Sequence, residues 1–184
     1  MSRPVGNKTD VEPLELWEYT LIMAKLPAHW QLFYELLWNT GLRLTEALDL
    51  TKKDLDATGV WVTRKKRKDK LREHLPLSSD LVNKLAERCR YSRAAHIFAF
   101  TPQAAWLALH KAAGLARVRE TIHPHSFRHG FGRRAVHADL GGLSALEQLA
   151  RVQRMMGHSR ISSTEVYIKP SKGDINESWR RLNQ

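Results

Sequence analysis

A histidine and a tyrosine, His158 and Tyr167, stand nine positions apart near the end of the 184-residue chain. Leu146, Leu149, Val152 and Met155 fall at helical spacing before them, and Gly157 can close that helix in a left-handed cap. Ser162, Ser163 and Thr164 can then start another turn that carries Tyr167 on a short helix of its own. A phenol with a pKa of about 10 is a poor nucleophile at neutral pH; it becomes useful beside cations that stabilise the phenolate and the charge its attack creates. Three stretches supply such cations: Arg43 in TGLRLTE, the basic run from Arg64 to Arg72, and the HSFRH segment holding His125, Arg128 and His129.

Each stretch also has a plainer reading. Arg43 can pair with Glu46, three residues on, as an ordinary surface ion pair. The run from Arg64 to Arg72 has seven basic residues and one acid, a net +6 that a solvated turn can carry. His125 and His129 have the i, i+4 spacing of two metal ligands, but the glutamate of HExxH is missing and no nearby Asp or Cys completes a set, so no metal is expected.

The elements that must carry these groups follow from periodicity. Leu14, Trp17, Leu21 and Ala24 mark one helix, and Leu32, Phe33, Leu36 and Leu37 a second, with Pro27 between them. The second runs into Gly41, where a sharp turn sets Arg43 at a bend before a helix carrying Glu46. Residues 59–63 read as a strand and 71–77 as its partner, which places the basic run at the strand ends and turn between them. Ser78 or Ser79 can cap a helix over Leu81, Val82 and Leu85, and residues 96–100 are a short extended piece. Thr101-Pro102 starts another helix, with Trp106 and Leu109 facing in and an end near Gly114. His125 and Arg128, at i and i+3, share a helix face while Phe127 and Phe131 turn to the core. The expected fold class is α+β, mainly helical with a small antiparallel β-hairpin.

TGLRLTE, a lysine before a Leu-Pro-Leu strand end, HSFRH, and GHS with a tyrosine nine after its histidine, in that order, resemble the catalytic domain of the tyrosine recombinases. The resemblance covers roughly residues 9–169, leaving 1–8 as a polar lead and 170–184 as a tail helix that docks on its own domain or on a neighbouring protomer. It implies catalytic roles for Arg43, Lys68, His125, Arg128, His158 and Tyr167, with Glu46 and His129 in support. Arg43 and Arg128 would take the two non-bridging oxygens of a phosphate, His125 would assist proton movement at the tyrosine, and Lys68 would protonate the departing oxygen. Lys66 and Lys70 remain candidates for that last role. Arg64, Lys65, Lys66, Arg67, Lys70 and Arg72 would contact DNA phosphates, giving salt-dependent affinity. The implied chemistry is transesterification through a 3′-phosphotyrosyl bond, with no cofactor. Type IB topoisomerase-like relaxation and a non-catalytic DNA-binding regulator are the alternatives.

Composition agrees with a polyanionic partner. Lys and Arg outnumber Asp and Glu by 30 to 19, a net +11. The expected partner is double-stranded DNA, bound by a homo-oligomer between dimer and tetramer. One cysteine, Cys89, excludes an intramolecular disulfide and a cysteine-rich zinc module, and no stretch approaches the ~20 apolar residues of a membrane span. A cytoplasmic protein is expected, in the prokaryotic cytosol or nucleoid or encoded by a phage or plasmid. Residues 138–144 make the interval from Arg128 to His158 longer than in Xer-type recombinases. The amino-terminal helical domain usual in the family is not expected in this sequence, which reads either as a fragment or as a short member resembling the fimbrial-switch invertases.

Overall fold

The aromatic-rich second helix, α2 (Ala28–Thr40), organises the core of the computed structural model, in which residues 12–64, 72–138, 142 and 144–157 are described. Contacts divide the chain into two compact units, residues 1–131 and 132–184. In the first, α1 (Leu16–Met23) and α2 are followed by α3 (Leu44–Leu48), a 3-10 turn (Lys52–Asp54), strands β1 (Gly59–Thr63) and β2 (Arg72–Pro76), α4 (Ser79–Tyr91) and α5 (Pro102–Ala116). α6 (Pro124–His137) begins in the first unit and ends in the second, which also holds α7 (Ala145–Met155).

Trp30, Phe33, Tyr34, Leu36, Leu37 and Trp38 of α2 are all buried, because a helix with apolar residues nearly all round has to be enclosed. Tyr34 donates its hydroxyl to the carbonyl oxygen of Ala105 at 2.6 Å, tying α2 to α5. Phe127 of α6 packs edge-on against Tyr19 and Trp38 and tilts against Tyr34 at 4.9 Å between ring centroids. That aromatic contact seats the first turns of α6 on α2.

β1 and β2 form an antiparallel pair with Gly59 opposite Pro76 and Thr63 opposite Arg72. A side chain at 59 would meet the Leu75 carbonyl oxygen at 2.0 Å, so only glycine fits this register. Val60 and Val62 are buried while Trp61 and Thr63 are exposed, the alternation of a strand with one covered face. Residues 95–97 run alongside 50–52, with Lys52 N–H bonded to the Ala95 carbonyl and Ile97 N–H to that of Leu50.

The inward faces of α1 and α5, and the end of α5, differ from the sequence expectation. On α1 the buried residues are Glu18 and Ile22, which follow the buried Leu14 that precedes the helix, while Trp17 and Leu21 are exposed. Glu18 is admitted to the interior because Arg119 bonds both its oxygens, at 2.7 and 3.1 Å. Trp106 of α5 lies outward, stacked on His110, while Leu109 is buried. α5 continues past Gly114 and closes on Arg117, which takes the left-handed conformation at φ 53°. Arg117 N–H reaches the Gly114 carbonyl and Val118 N–H that of Ala113, so the terminal carbonyls are satisfied without a glycine cap.

In the second unit Ser144 caps α7 and Glu147 bonds back to the Ser144 N–H at 2.9 Å. Leu149, Val152 and Met156 are buried, whereas Leu146 and Met155 are exposed; Gly157 follows with φ 59°, as its place after the helix predicted. The tail helix expected over 170–184 lies outside the described residues. Among the described residues, no helix is long and apolar enough to cross a membrane.

Candidate active site

The site is built where the C-terminus of α2, the start of α3 and the first turns of α6 meet. Gly41 ends α2 at φ 61°, and a Cβ there would lie 2.5 Å from the Phe131 ring. The turn therefore needs glycine for its handedness and for its closeness to α6. Arg43 follows as the N-cap residue of α3.

Glu46 holds Arg43 twice. Its Oε2 accepts from the Arg43 backbone N–H at 2.9 Å and its Oε1 from Arg43 Nη1 at 2.7 Å. Burial by itself would raise the Glu46 carboxyl, but these bonds and the charges of Arg43 and Arg64 outweigh it and hold the group below the usual carboxylate range. The Arg43 side chain keeps 18% exposure, so its guanidinium is anchored at one end and open at the other. The ion pair that composition alone allowed is thus the support of a presented cation.

Arg128 is buried and donates Nη1 to the Gly41 carbonyl oxygen at 2.5 Å. This places it beside the turn that leads to Arg43. His125, one turn earlier on α6, has its ring 4.9 Å from that of His129. Part of His125 is open to solvent, yet the enclosure of its ring and the charges of His129, Arg128, His123 and Arg43 push its pKa down to about 3. His129 is pushed down to about 4 by burial, Arg128 and His123. Both imidazoles are neutral at pH 7 and able to accept a proton; an arriving phosphate would offset the cations and make them more basic.

His123 has a different task. Its backbone N–H donates to Ser126 Oγ at 3.3 Å and its Nδ1 accepts from the His125 N–H at 3.2 Å, so it caps α6. Among the described residues no three His, Cys, Asp or Glu side chains converge to hold a metal ion.

Two residues read from the sequence as phosphate contacts fall among the described residues, Arg64 buried and Arg72 exposed. Arg64 is fully buried, with Nε 3.0 Å from Glu73 Oε2 and Nη1 3.3 Å from Glu46 Oε2. It continues the covered face of Val60 and Val62, and that period of two was the signal in the sequence. Glu73, which sequence reasoning left out, sits opposite Val62 and turns to the same face. Arg72 is exposed but engaged: Nη2 bonds Asp54 at 2.9 Å and the guanidinium lies 5.4 Å from the Trp61 ring centroid. Lys65, Lys66, Arg67, Lys68 and Lys70, with His158 and Tyr167, lie outside the described residues. Of the expected catalytic set the structure therefore brings together Arg43, His125 and Arg128, supported by Glu46 and His129.

Residues 14–173 match the profile of the phage integrase family. The chain belongs to that family. The tyrosine recombinase XerD of Staphylococcus epidermidis is 30% identical over 165 residues, which covers 81% of this chain and 52% of that protein. XerC of Oceanobacillus iheyensis is 28% identical, covering 98% of this chain and 62% of its own. The chain thus spans about half to two thirds of the length of these relatives.

Among solved structures, a XerA recombinase superposes with a TM-score of 0.71 at 15% identity, over 94% of this chain and 65% of that one. The catalytic domain of bacteriophage HP1 integrase superposes at 0.66 and 18% identity, over 92% and 94%. At such identities the likeness establishes the fold: this phage integrase family member has the helical catalytic-domain architecture with a small antiparallel sheet.

Proposed function

We propose that this protein is a site-specific DNA recombinase that cleaves and rejoins strands through a 3′-phosphotyrosyl intermediate. The observation that carries the reading is the meeting of Arg43, Arg128 and His125 around the Gly41 turn, from two segments 87 positions apart. Two guanidiniums beside a neutral imidazole form a site for a phosphate whose negative charge grows during substitution. The relatives named as tyrosine recombinases support the same chemistry, and a XerH recombinase of this fold was solved bound to its difH substrate.

In the proposed reaction the Tyr167 hydroxyl oxygen attacks the phosphorus and passes its proton toward His125. The bond from phosphorus to the 5′ oxygen breaks, and that oxygen takes a proton from Lys68, with Lys66 and Lys70 as alternatives. Arg43 and Arg128 hold the non-bridging oxygens, with His158 beside them. The reverse attack by a 5′-hydroxyl of a second strand reseals the DNA and frees the tyrosine, so the chain's own residues carry the full proton balance. The remaining basic side chains of the hairpin turn bind double-stranded DNA, and the protein works as a homo-oligomer on it in the cytoplasm. A λ integrase of this fold was solved as a dimer on its core site, which supports that assembly.

The test is to incubate the protein, beside Tyr167→Phe, with nicked duplexes drawn from DNA flanking its own gene and to isolate denaturant-resistant adducts. Adduct from the unaltered protein alone is the expected result, and sequencing it maps the scissile position. Adduct that survives Tyr167→Phe would remove the tyrosine from its role.

A further inference from the structure

Arg64 heads the fully buried side chains by volume among the described residues, and it bridges two carboxylates on different elements, Glu46 of α3 and Glu73 of β2. A guanidinium enclosed to this degree is costly to desolvate, so its bonds have to be good ones. Its Nε and Nη1 are used on separate partners, two fixed donor positions on one planar fork where lysine offers a single nitrogen. Glu46 Oε2 receives both Arg64 Nη1 and the Arg43 backbone N–H, while Oε1 receives the Arg43 guanidinium. The rotamer of Glu46 is therefore fixed from both sides.

Charge follows the same pattern. Among the described residues, Arg43 and Arg64 are the cations bonded to Glu46 and Glu73. Removing Arg64 takes one positive charge away from the two carboxylates, so the field of Arg43 at a phosphate would be more strongly cancelled.

We propose that Arg64 is a positioning residue for DNA cleavage, acting through Glu46 to hold and leave uncancelled the Arg43 guanidinium that meets the scissile phosphate. The proposal rests on the recombinase reading above. It moves Arg64 from the group of phosphate contacts to the support of the first arginine.

The experiment uses the full chain and a nicked duplex carrying the scissile position mapped by the adduct. Single-turnover adduct formation is measured for Arg64→Lys, Arg64→Met and Arg64→Met with Glu73→Gln, each on an ordinary phosphate and on a methylphosphonate at that position. Misplacing a charge-stabilising group costs about 10²-fold, so Arg64→Met is expected to cleave about 10²-fold more slowly with DNA affinity little changed. Arg64→Lys should lose about tenfold, and adding Glu73→Gln to Arg64→Met should recover about tenfold. Because the methylphosphonate lacks the negative charge that Arg43 offsets, the defect should shrink to within about tenfold on it.

A defect equal on both substrates, or one that follows the folded fraction seen by circular dichroism, would overturn the proposal. An independent reading comes without DNA: nitrogen-15 NMR of the Arg43 side chain should show faster guanidinium rotation in Arg64→Lys, and unchanged rotation would also overturn it. If the unaltered protein forms no Tyr167 adduct, the recombinase reading fails and this role fails with it. If the unaltered protein forms adduct and the Arg64 variants match its rate, only this role fails.

Discussion

Arg128 Nη1 and the carbonyl oxygen of Gly41 lie 2.5 Å apart, so the second arginine of the site is bonded to the turn that presents the first. Arg128 is buried, and Arg43, two residues beyond Gly41, is partly exposed. The two cations are not equivalent. One is a buried structural member of the α2–α6 junction, and the other is bonded to Glu46 and keeps partial exposure.

That junction should fail at Gly41. Alanine in a left-handed conformation costs about 1–2 kcal/mol, and a Cβ 2.5 Å from the Phe131 ring adds overpacking of about 1–3 kcal/mol. Gly41→Ala is expected to lower unfolding free energy by about 2–5 kcal/mol in urea melts. Gly114→Ala is the control: a Cβ there meets nothing within 4 Å, and replacing glycine inside a helix should stabilise by up to about 1 kcal/mol.

Glu46 should be the most costly carboxylate to neutralise. It is 3% exposed and shares its oxygens among Arg43 and the fully buried Arg64. Removing one partner of a buried pair costs about 3–5 kcal/mol, and Glu46→Gln is expected near that range. Glu73→Gln should cost less, because the Glu73 side chain is 21% exposed and water can replace part of its role. Equal losses in denaturant melts would contradict this ranking.

Much of this was legible in the sequence, because local rules operate there. Pro102 at the first helical position, Ser78 as a cap, and strand β1 at residues 59–63 sit where composition and period put them. The core phenylalanine Phe127 and the arginine at the bend followed from spacing. What the sequence hid was set by partners distant along the chain. Glu18 is buried only because Arg119, 101 positions away, neutralises it, and this turns the inward face of α1 away from Trp17 and Leu21. Arg64 was grouped with a basic run by its neighbours in sequence, although strand alternation placed it with Val60 and Val62. A charge run describes composition; the side each charge faces is a matter of register.

The histidines give a pH dependence with a definite sign. His125 and His129 have folded pKa values pushed down to about 3 and about 4, against an unfolded value of about 6.5. Between those limits the unfolded chain binds protons that the folded chain does not, so stability is fully present above about 6.5 and falls as pH drops toward 4. Thermal melts should therefore show a lower Tm at pH 5 than at pH 7, and His129→Gln should flatten that dependence. A Tm that rises on acidification over this interval would contradict the lowered pKa values of these imidazoles. DNA binding should oppose the trend, since a phosphate beside the ring raises its basicity, and binding should take up protons near pH 5.

The arginines themselves should separate catalysis from folding. Arg43 reaches the site from a partly exposed position, and its loss leaves Glu46 still bonded to Arg64. Arg43→Ala is thus expected to remain folded and, on the proposed function, to bind DNA nearly as before, because only one of several proposed phosphate contacts is removed. Its cleavage rate should fall by about 10²–10³-fold, the scale for removing one preorganised group that stabilises transition-state charge. Arg128→Ala should lose rate to at least that degree and stability as well, because it leaves the buried Gly41 carbonyl without this donor at a cost of about 1–3 kcal/mol. Adduct assays paired with urea melts decide the point. If Arg43→Ala proved the less stable of the two, the division between a presented arginine and a bracing one would be wrong.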